Sequence, residues 1–288
     1  MIKNILNSNN TIFFSTANDN YAIYSAISLI TIRKFVPNAR LFIISSHLNK
    51  KTKIKLTKLK IDFIELNLNN LFYKTWQYPV DCYYMFAGPE IFYKMGYDYS
   101  VYIDGDILCN NNPIDKIGDI KFVAGAATNK IKDIFGDDLA TINKVFSFNT
   151  SRLNSKRFNT GVVYFNNKTA VDKNMLQGVA KIYDICIKNN IPRKGDDSLF
   201  CLYLLININD KEVKLLDSRY NFIYEFYKTT KNLKDAIFIH FVKNKPWKQF
   251  VFCGNYEIST YKKYIKIYKN HLRRYAPGRY LNILRRKK

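Results

Sequence analysis

Two aspartates separated by one glycine, Asp104-Gly105-Asp106, close the apolar run Tyr99-Ser100-Val101-Tyr102-Ile103. In an extended chain residues i and i+2 point to the same side, so both carboxylates can turn toward one ion. The intervening glycine lets the backbone come close to a ligand. Two hard oxygen ligands suit Mg²⁺ or Mn²⁺, ions that are usually shared with substrate phosphates. For the pair alone, an Asp-Gly turn that ends a strand is the alternative. A second acidic pair, Asp196-Asp197, follows Gly195 and opens a helical stretch, where ordinary helix capping is the competing explanation. His240 stands near the end of the apolar run 236–241, as a metal ligand or as a structural histidine.

Such groups need elements that bring strand ends together. Residues 11–16 read as a first strand, followed by a turn rich in capping residues, Ala17-Asn18-Asp19-Asn20-Tyr21. A helix with Tyr21, Tyr24, Ile27 and Leu29-Ile30 at helical spacing comes next, and Pro37 stops it. Residues 41–44 form strand two, 50–59 a short basic helix and 61–66 a third, alternating strand. The stretch 81–95 reads as helical, with Gly88-Pro89 kinking or restarting it. With the run ending at Asp104, this β-α-β-α-β order specifies a parallel sheet with right-handed crossovers. Ligands of such sheets sit beyond the carboxyl ends of the strands. No Gly-x-Gly-x-x-Gly follows the first strand, so a dinucleotide held in the usual way is not expected. Downstream, 122–127, 158–166, 213–216 and 236–241 read as strands, 171–188 as one amphipathic helix, and 130–155 as a loop or small-helix region.

Composition narrows the class. A hydrophobic content of 47% supports a sizeable core and excludes a disordered chain. The five cysteines are scattered with no Cys-x-x-Cys, which fits free thiols in a reducing compartment better than a disulfide framework or a zinc site. No apolar segment is long enough to cross a bilayer, and residues 1–10 carry no apolar core of a secretory signal. The expectation is a cytoplasmic protein. The net charge of +23 favours acidic partners. It is concentrated in six lysines within 50–60 and in eleven Lys or Arg, with no acid, within 261–288. In that tail Tyr261, Tyr264, Ile265, Tyr268, Leu272 and Tyr275 fall at helical spacing between basic faces. A basic, aromatic helix suits either an anionic membrane surface or core packing with a solvated basic face. The chain divides into a body, 1–255, and a basic aromatic tail, 256–288. There is no zinc knuckle or RNP-like aromatic motif, so no nucleic-acid partner is expected, although a basic nucleic-acid-binding protein with sequence-tolerant binding is the competing class.

Six short motifs stand in one order. They are Phe14-Ser15-Thr16-Ala17-Asn18-Asp19-Asn20-Tyr21, Tyr102-Ile103-Asp104-Gly105-Asp106, Phe158-Asn159-Thr160-Gly161-Val162, Gly195-Asp196-Asp197-Ser198-Leu199, Ser218-Arg219-Tyr220-Asn221, and His240-Phe241 with Lys245-Pro246-Trp247. Over roughly residues 10–250 this order resembles glycosyltransferase family 8, the family of glycogenin and of bacterial lipopolysaccharide galactosyl- and glucosyltransferases.

The resemblance implies an α/β GT-A fold, a single Rossmann-like mixed-sheet domain, with the basic helical tail appended. It implies a UDP-sugar donor, Mn²⁺ (or Mg²⁺) held by Asp104, Asp106 and His240, and Lys245 on the diphosphate. Thr16, Ala17, Asn18, Asn20 and Tyr21 match the nucleoside site, with Tyr21 stacking on the base and Asn18 on its edge. Gly105 belongs to the same donor site. Asn159, Asp196 and Asp197 match residues at the donor sugar, the catalytic group. The implied activity is retaining transfer of a hexose, galactose or glucose, to a glycan or lipid-linked saccharide, at the inner face of the cytoplasmic membrane. A non-catalytic sugar-nucleotide-binding relative is the alternative. Three departures bear on it. The segment Tyr83 to Glu90 lacks an arginine common in the family; the His240–Lys245 spacing is one residue short, with Lys243 near where a glycine is common; and the family's Asp-Gln-Asp is Gly195-Asp196-Asp197. An aspartate, Asp196, then lies beneath the anomeric carbon and either stabilises the oxocarbenium-like state or attacks it.

Overall fold

Alternation along the first strand decides the layering. In β1 (Thr11–Thr16), Ile12 and Phe14 point to one side and Phe13 to the other, and all three are fully buried. A strand buried on both faces needs helices on both sides of its sheet. A computed structural model of the chain describes residues 6–72, 80–191, 195–223, 233–242, 245–247 and 258–277. Its main sheet contains β1, β2 (Arg40–Ser45), β3 (Asp62–Glu65), β4 (Tyr99–Ile103), β6 (Val123–Lys130), β7 (Lys156–Asn166) and β8 (Val213–Leu216). They lie in the order β3-β2-β1-β4-β7-β6-β8. The first four are mutually parallel, and β7 runs antiparallel between β4 and β6. The sheet is therefore mixed, as a GT-A fold requires. A small second sheet joins β5 (Ile107–Cys109), β10 (Phe238–His240) and β9 (Phe222–Ile223).

Helices cover both faces. On one side α1 (Ala22–Ile32) packs against the sheet together with the C-terminal helix α9 (Ile258–Tyr275). Phe13, Ile43, Val101 and Ile103 meet Ile27, Tyr268 and Leu272 in that core. On the other side Ile12, Phe14, Phe42, Tyr102 and Val163 meet α3 (Gly88–Lys94), α7 (Met175–Lys188) and α8 (Asp196–Asn207). The basic helix α2 (Lys50–Lys58) buries only Leu56, and its lysines line an outer edge.

Several sequence expectations are narrowed or corrected. Over 81–95 the restart holds rather than the kink: a 3₁₀ segment, Val80–Phe86, gives way to α3, with Pro89 in its first turn where proline is favoured. The helix expected over 171–188 is two: α6 (Asn167–Asp172) ends, and Asn174 takes a left-handed turn, φ 52°, before α7. Residues 130–155 take the small-helix form of the two expected, with two short helices, α4 (Ile131–Phe135) and α5 (Leu139–Phe146), flanked by 3₁₀ turns. The aromatic stripe of the tail faces the core, not a membrane. Tyr264, Ile265, Tyr268 and Leu272 are all buried, while Lys263, Lys266, Arg273 and Arg274 remain exposed. The side chain of Tyr261, the body–tail boundary near 255, Lys243 and Cys253 lie outside what is described. The other four cysteines are free thiols. Among the described residues no helix is long and apolar enough to cross a membrane.

Candidate active site

The acidic pair sits where the sheet ends. The Asp104 N–H donates to Gly161 O at 2.9 Å, tying the loop beyond β4 to β7. A Cβ at Gly105 would lie 2.7 Å from Ser25 Oγ, so only glycine lets the loop settle against α1. From below, the Tyr268 hydroxyl of α9 stands 3.2 Å from Gly105 O and 3.1 Å from Tyr24 O, and it donates between them. The tail helix thus supports the acidic loop. His240 arrives from the second sheet. It faces Ile107 in the β10–β5 register, and the Phe241 N–H donates to Asp106 O at 3.0 Å.

These tethers converge three side chains. His240 Nε2 lies 3.3 Å from Asp106 Oδ1 and 3.5 Å from Asp104 Oδ2. One ligand atom from each residue falls within 4.8 Å of the others. Neighbouring ligands at right angles around an ion with ~2.1 Å bonds stand about 3 Å apart, so the set fits a divalent cation with little adjustment. Two carboxylates and an imidazole suit Mn²⁺ or Mg²⁺ better than a thiophilic ion. Asp106 and His240 are almost wholly buried, whereas Asp104 keeps 34% of its side-chain surface and forms the mouth. Burial, reinforced by the like charge of Asp106, raises the Asp104 carboxyl pKa against the pull of His240. Burial pushes on Asp106 too, but His240 and Lys245 outweigh it and leave that carboxyl below its ordinary value. For His240 burial opposes protonation, and the two aspartates overcome it and raise its pKa.

The second acidic pair lies at the mouth of β7. Asp197 accepts from Thr160 N at 2.6 Å, Thr160 Oγ1 at 2.6 Å and Asn159 Nδ2 at 3.0 Å, and pairs with Arg157 Nη1 at 3.2 Å. So many donors leave it a fixed anchor between β7 and α8. Asp196 touches Thr160 Oγ1 at 2.8 Å. One hydroxyl hydrogen cannot make two full-strength bonds to carboxylates as close as 2.6 and 2.8 Å. A protonated Asp196 resolves this by donating to Thr160, which then donates to Asp197. Accordingly the Asp196 pKa is pushed up to about 7, by burial first and then by the charges of Asp197 and Asp104.

Thr16, Ala17, Asn18, Asn20 and Tyr21 lie together at the carboxyl end of β1. Tyr21 is half exposed, and its ring leans on Tyr24 and Trp247 while keeping surface to meet a ligand. Asn18 Oδ1 accepts from Asn20 N at 3.1 Å and Tyr21 N at 3.3 Å, which leaves its amide nitrogen as the group open to a partner. The Lys245 ammonium holds Asp106 Oδ2. Trp247 pins that segment by stacking on Tyr24 at 4.2 Å and packing beside Tyr268.

Three participants carry no role in the sequence reading. Tyr102 donates to Asp104 Oδ1 at 2.6 Å, and the Thr16 hydroxyl stands 3.4 Å behind it. Its position two residues before Asp104 places it on the same side of the strand, which is the signal that would have found it. Arg157, beside Asp197, brings a guanidinium to the acidic end of the site from β7, a different element from the segment that lacks the family arginine. Asn221, fully buried, connects to both His240 and Asn159.

No curated protein matches the sequence. The fold is similar to three solved glycosyltransferases. They are the bifunctional WbbM (TM-score 0.66, 16% identity, 98% of this chain and 53% of that one), the galactosyltransferase LgtC in complex with donor and acceptor sugar analogues (0.61, 16%, 89% and 95%), and GlyE of Streptococcus pneumoniae TIGR4 (0.56, 16%, 91% and 60%). The chain therefore spans about half of WbbM and nearly all of LgtC. At such identity the likeness establishes the fold, GT-A, and residues 12–250 match the family model described as glycosyl transferase family 8. With that match extending over most of its length, the chain belongs to glycosyl transferase family 8.

Proposed function

We propose that the protein moves a hexose, galactose or glucose, from a UDP-sugar to a saccharide or lipid-linked saccharide with retention of anomeric configuration. The observation that carries this is the convergence of Asp104, Asp106 and His240 beside the Asp196–Asp197 pair. Asp104, Asp106 and His240 would hold Mn²⁺ or Mg²⁺, which supplies Lewis-acid neutralisation of charge on a departing diphosphate. Lys245, already at Asp106, offers a second positive charge to the same diphosphate. Tyr21 provides a face for the uracil and Asn18 an amide donor for its edge. LgtC, crystallised with donor and acceptor sugar analogues, has this fold, which favours a sugar-transfer reading.

Asp196 is the carboxyl left for chemistry at the sugar, since Asp197 is held by Arg157, Asn159 and Thr160. As a carboxylate it either attacks the anomeric carbon as the C–O bond to UDP breaks, or stabilises the oxocarbenium-like state while the acceptor enters on the same face. The exposed Lys263, Lys266, Arg273 and Arg274 of α9 remain available to an anionic membrane surface, whereas the aromatic residues of that helix are not. Reversing those four charges to Glu should abolish retention on anionic liposomes; unchanged retention would remove the membrane from the reading.

Incubation with UDP-galactose or UDP-glucose and Mn²⁺, followed by UDP release with and without chelator, tests the enzyme reading. Metal-dependent UDP release is expected. Absence of release with a full donor screen would leave a sugar-nucleotide binder, and steep salt-dependent retention of DNA or RNA would leave a nucleic-acid binder.

A further inference from the structure

A continuous chain of side chains links the metal cluster to the second acidic pair. His240 Nδ1 lies 3.0 Å from Asn221 Oδ1. Asn221 Nδ2 donates to Asn159 Oδ1 at 2.9 Å, and Asn159 Nδ2 donates to Asp197 Oδ2 at 3.0 Å. All three links are partly or fully buried, so unpaired lone pairs or hydrogens there are costly.

The direction of this chain follows from one backbone group. Gly161 N–H donates to Asn159 Oδ1 at 2.9 Å. A backbone N–H only donates, so the atom it meets on Asn159 is the oxygen. The Asn159 amide nitrogen must then face Asp197, whose carboxylate only accepts. Because Asn159 presents oxygen to Asn221, Asn221 must present nitrogen in return, and its oxygen is turned to His240. A carbonyl oxygen cannot donate, so the imidazole has to carry a hydrogen on Nδ1. That leaves Nε2, the nitrogen facing Asp104 and Asp106, to give its lone pair to an ion. Gly161 also sets the distance, since a Cβ there would lie 2.3 Å from His240 Cε1.

We infer that Asn221 is a positioning residue: anchored through Asn159 by Asp197 and the Gly161 amide, it keeps a proton on His240 Nδ1 and aims Nε2 at the divalent-ion site. The inference deepens the proposed function and rests on its metal site. It also makes Asp197 the terminus of a relay that begins at a metal ligand, so the sugar end and the diphosphate end of the site are oriented together. Outer-shell partners of a ligating histidine typically alter metal affinity by about tenfold to hundredfold.

The test uses the full-length protein with ¹⁵N-labelled histidine. NMR should show Nδ1 protonated both without metal and with Mg²⁺. A neutral ring protonated only on Nε2 would overturn the inference. Asn221→Leu should lower Mn²⁺ affinity by about tenfold to hundredfold in calorimetry, whereas Asn221→Asp, which still accepts from Nδ1–H but can no longer donate to Asn159 Oδ1, should lose clearly less than Asn221→Leu. A variant that melts earlier yet binds Mn²⁺ normally would reduce Asn221 to a packing role and sink the proposal. If Nδ1 is protonated in the wild type and neither Mn²⁺ nor Mg²⁺ binds it, the relay stands and the metal reading fails.

Discussion

Gly161 and His240 touch across the site. A methyl group at Gly161 would come within 2.3 Å of His240 Cε1 and 2.5 Å of Nδ1. The ring is buried and hydrogen-bonded to Asn221, so it cannot swing aside as an exposed side chain could. Gly161→Ala should therefore displace the ring, cost about 1–3 kcal/mol of stability through overpacking, and abolish tight Mn²⁺ binding. Thermal melting and a Mn²⁺ titration on the same sample check both parts. Normal Mn²⁺ affinity in that variant would mean that His240 is not a ligand.

Tyr102 steadies Asp104 through one short hydrogen bond, with Thr16 behind it. Tyr102→Phe removes the donor and keeps the ring, which packs edge-on against Phe14 at 5.5 Å. Asp104 then loses a contact that favours its ionised form and rotates more freely. The expected outcome is a Mn²⁺ affinity about tenfold weaker, with the melting temperature nearly unchanged. Calorimetric titration measures the first and a melting curve the second.

Asp196 gives the site a pH signature. Its pKa rises from an ordinary 3.8 to about 7, so the ionised form is disfavoured in the folded protein. The sign follows: folding is unaffected where the group is neutral in both states, below about pH 4, and stability is lost as pH rises through 7. Asp196→Asn should match the wild type in stability near pH 4. Above pH 7 it should be more stable, by on the order of 1–3 kcal/mol once solvent screening of this partly covered carboxyl is allowed for. Activity should move oppositely. If the carboxylate acts at the sugar, kcat/KM of the wild type rises through about pH 7, and the variant falls by about a hundredfold or more with that limb gone. Near-normal turnover of the variant would dismiss both roles proposed for Asp196.

The tail helix should report on the acidic loop. Tyr268→Phe removes the hydroxyl that serves Tyr24 O and Gly105 O. A loss of about 1 kcal/mol is expected, a few degrees in melting temperature for a chain of this size. Weaker Mn²⁺ binding should accompany it, because Gly105 lies between the two aspartates. A fall in stability with no change in metal affinity would confine α9 to packing.

Much of this protein is written in short-range order. The strand 11–16 and the strand 213–216 fall where short apolar runs and flanking turn residues place them. Asp104 and Asp106 share a side because a strand repeats every two residues, and Asp196 heads α8 because the apolar run behind it is helical. These are local consequences of backbone geometry and need no distant partner. The six ordered motifs go further and mark the family, but they do so as a pattern, without saying which side chain touches which.

Contacts made by chain closure are of another kind. β5 and β9, only three and two residues long, are too short for any periodicity to show, yet the β5–β10 pairing brings His240 to Asp106. Lys245 meets a carboxylate 139 residues earlier, and Tyr268 a carbonyl 163 residues earlier. Amphipathic spacing in the tail is the same whether the apolar stripe meets lipid or a protein core, so only packing against α1 decided the matter. The orientation of Asn159 and Asn221 is likewise beyond any reading of residue types. It is set by where the Gly161 amide points once β7 lies beside β4, and that is a property of the folded sheet.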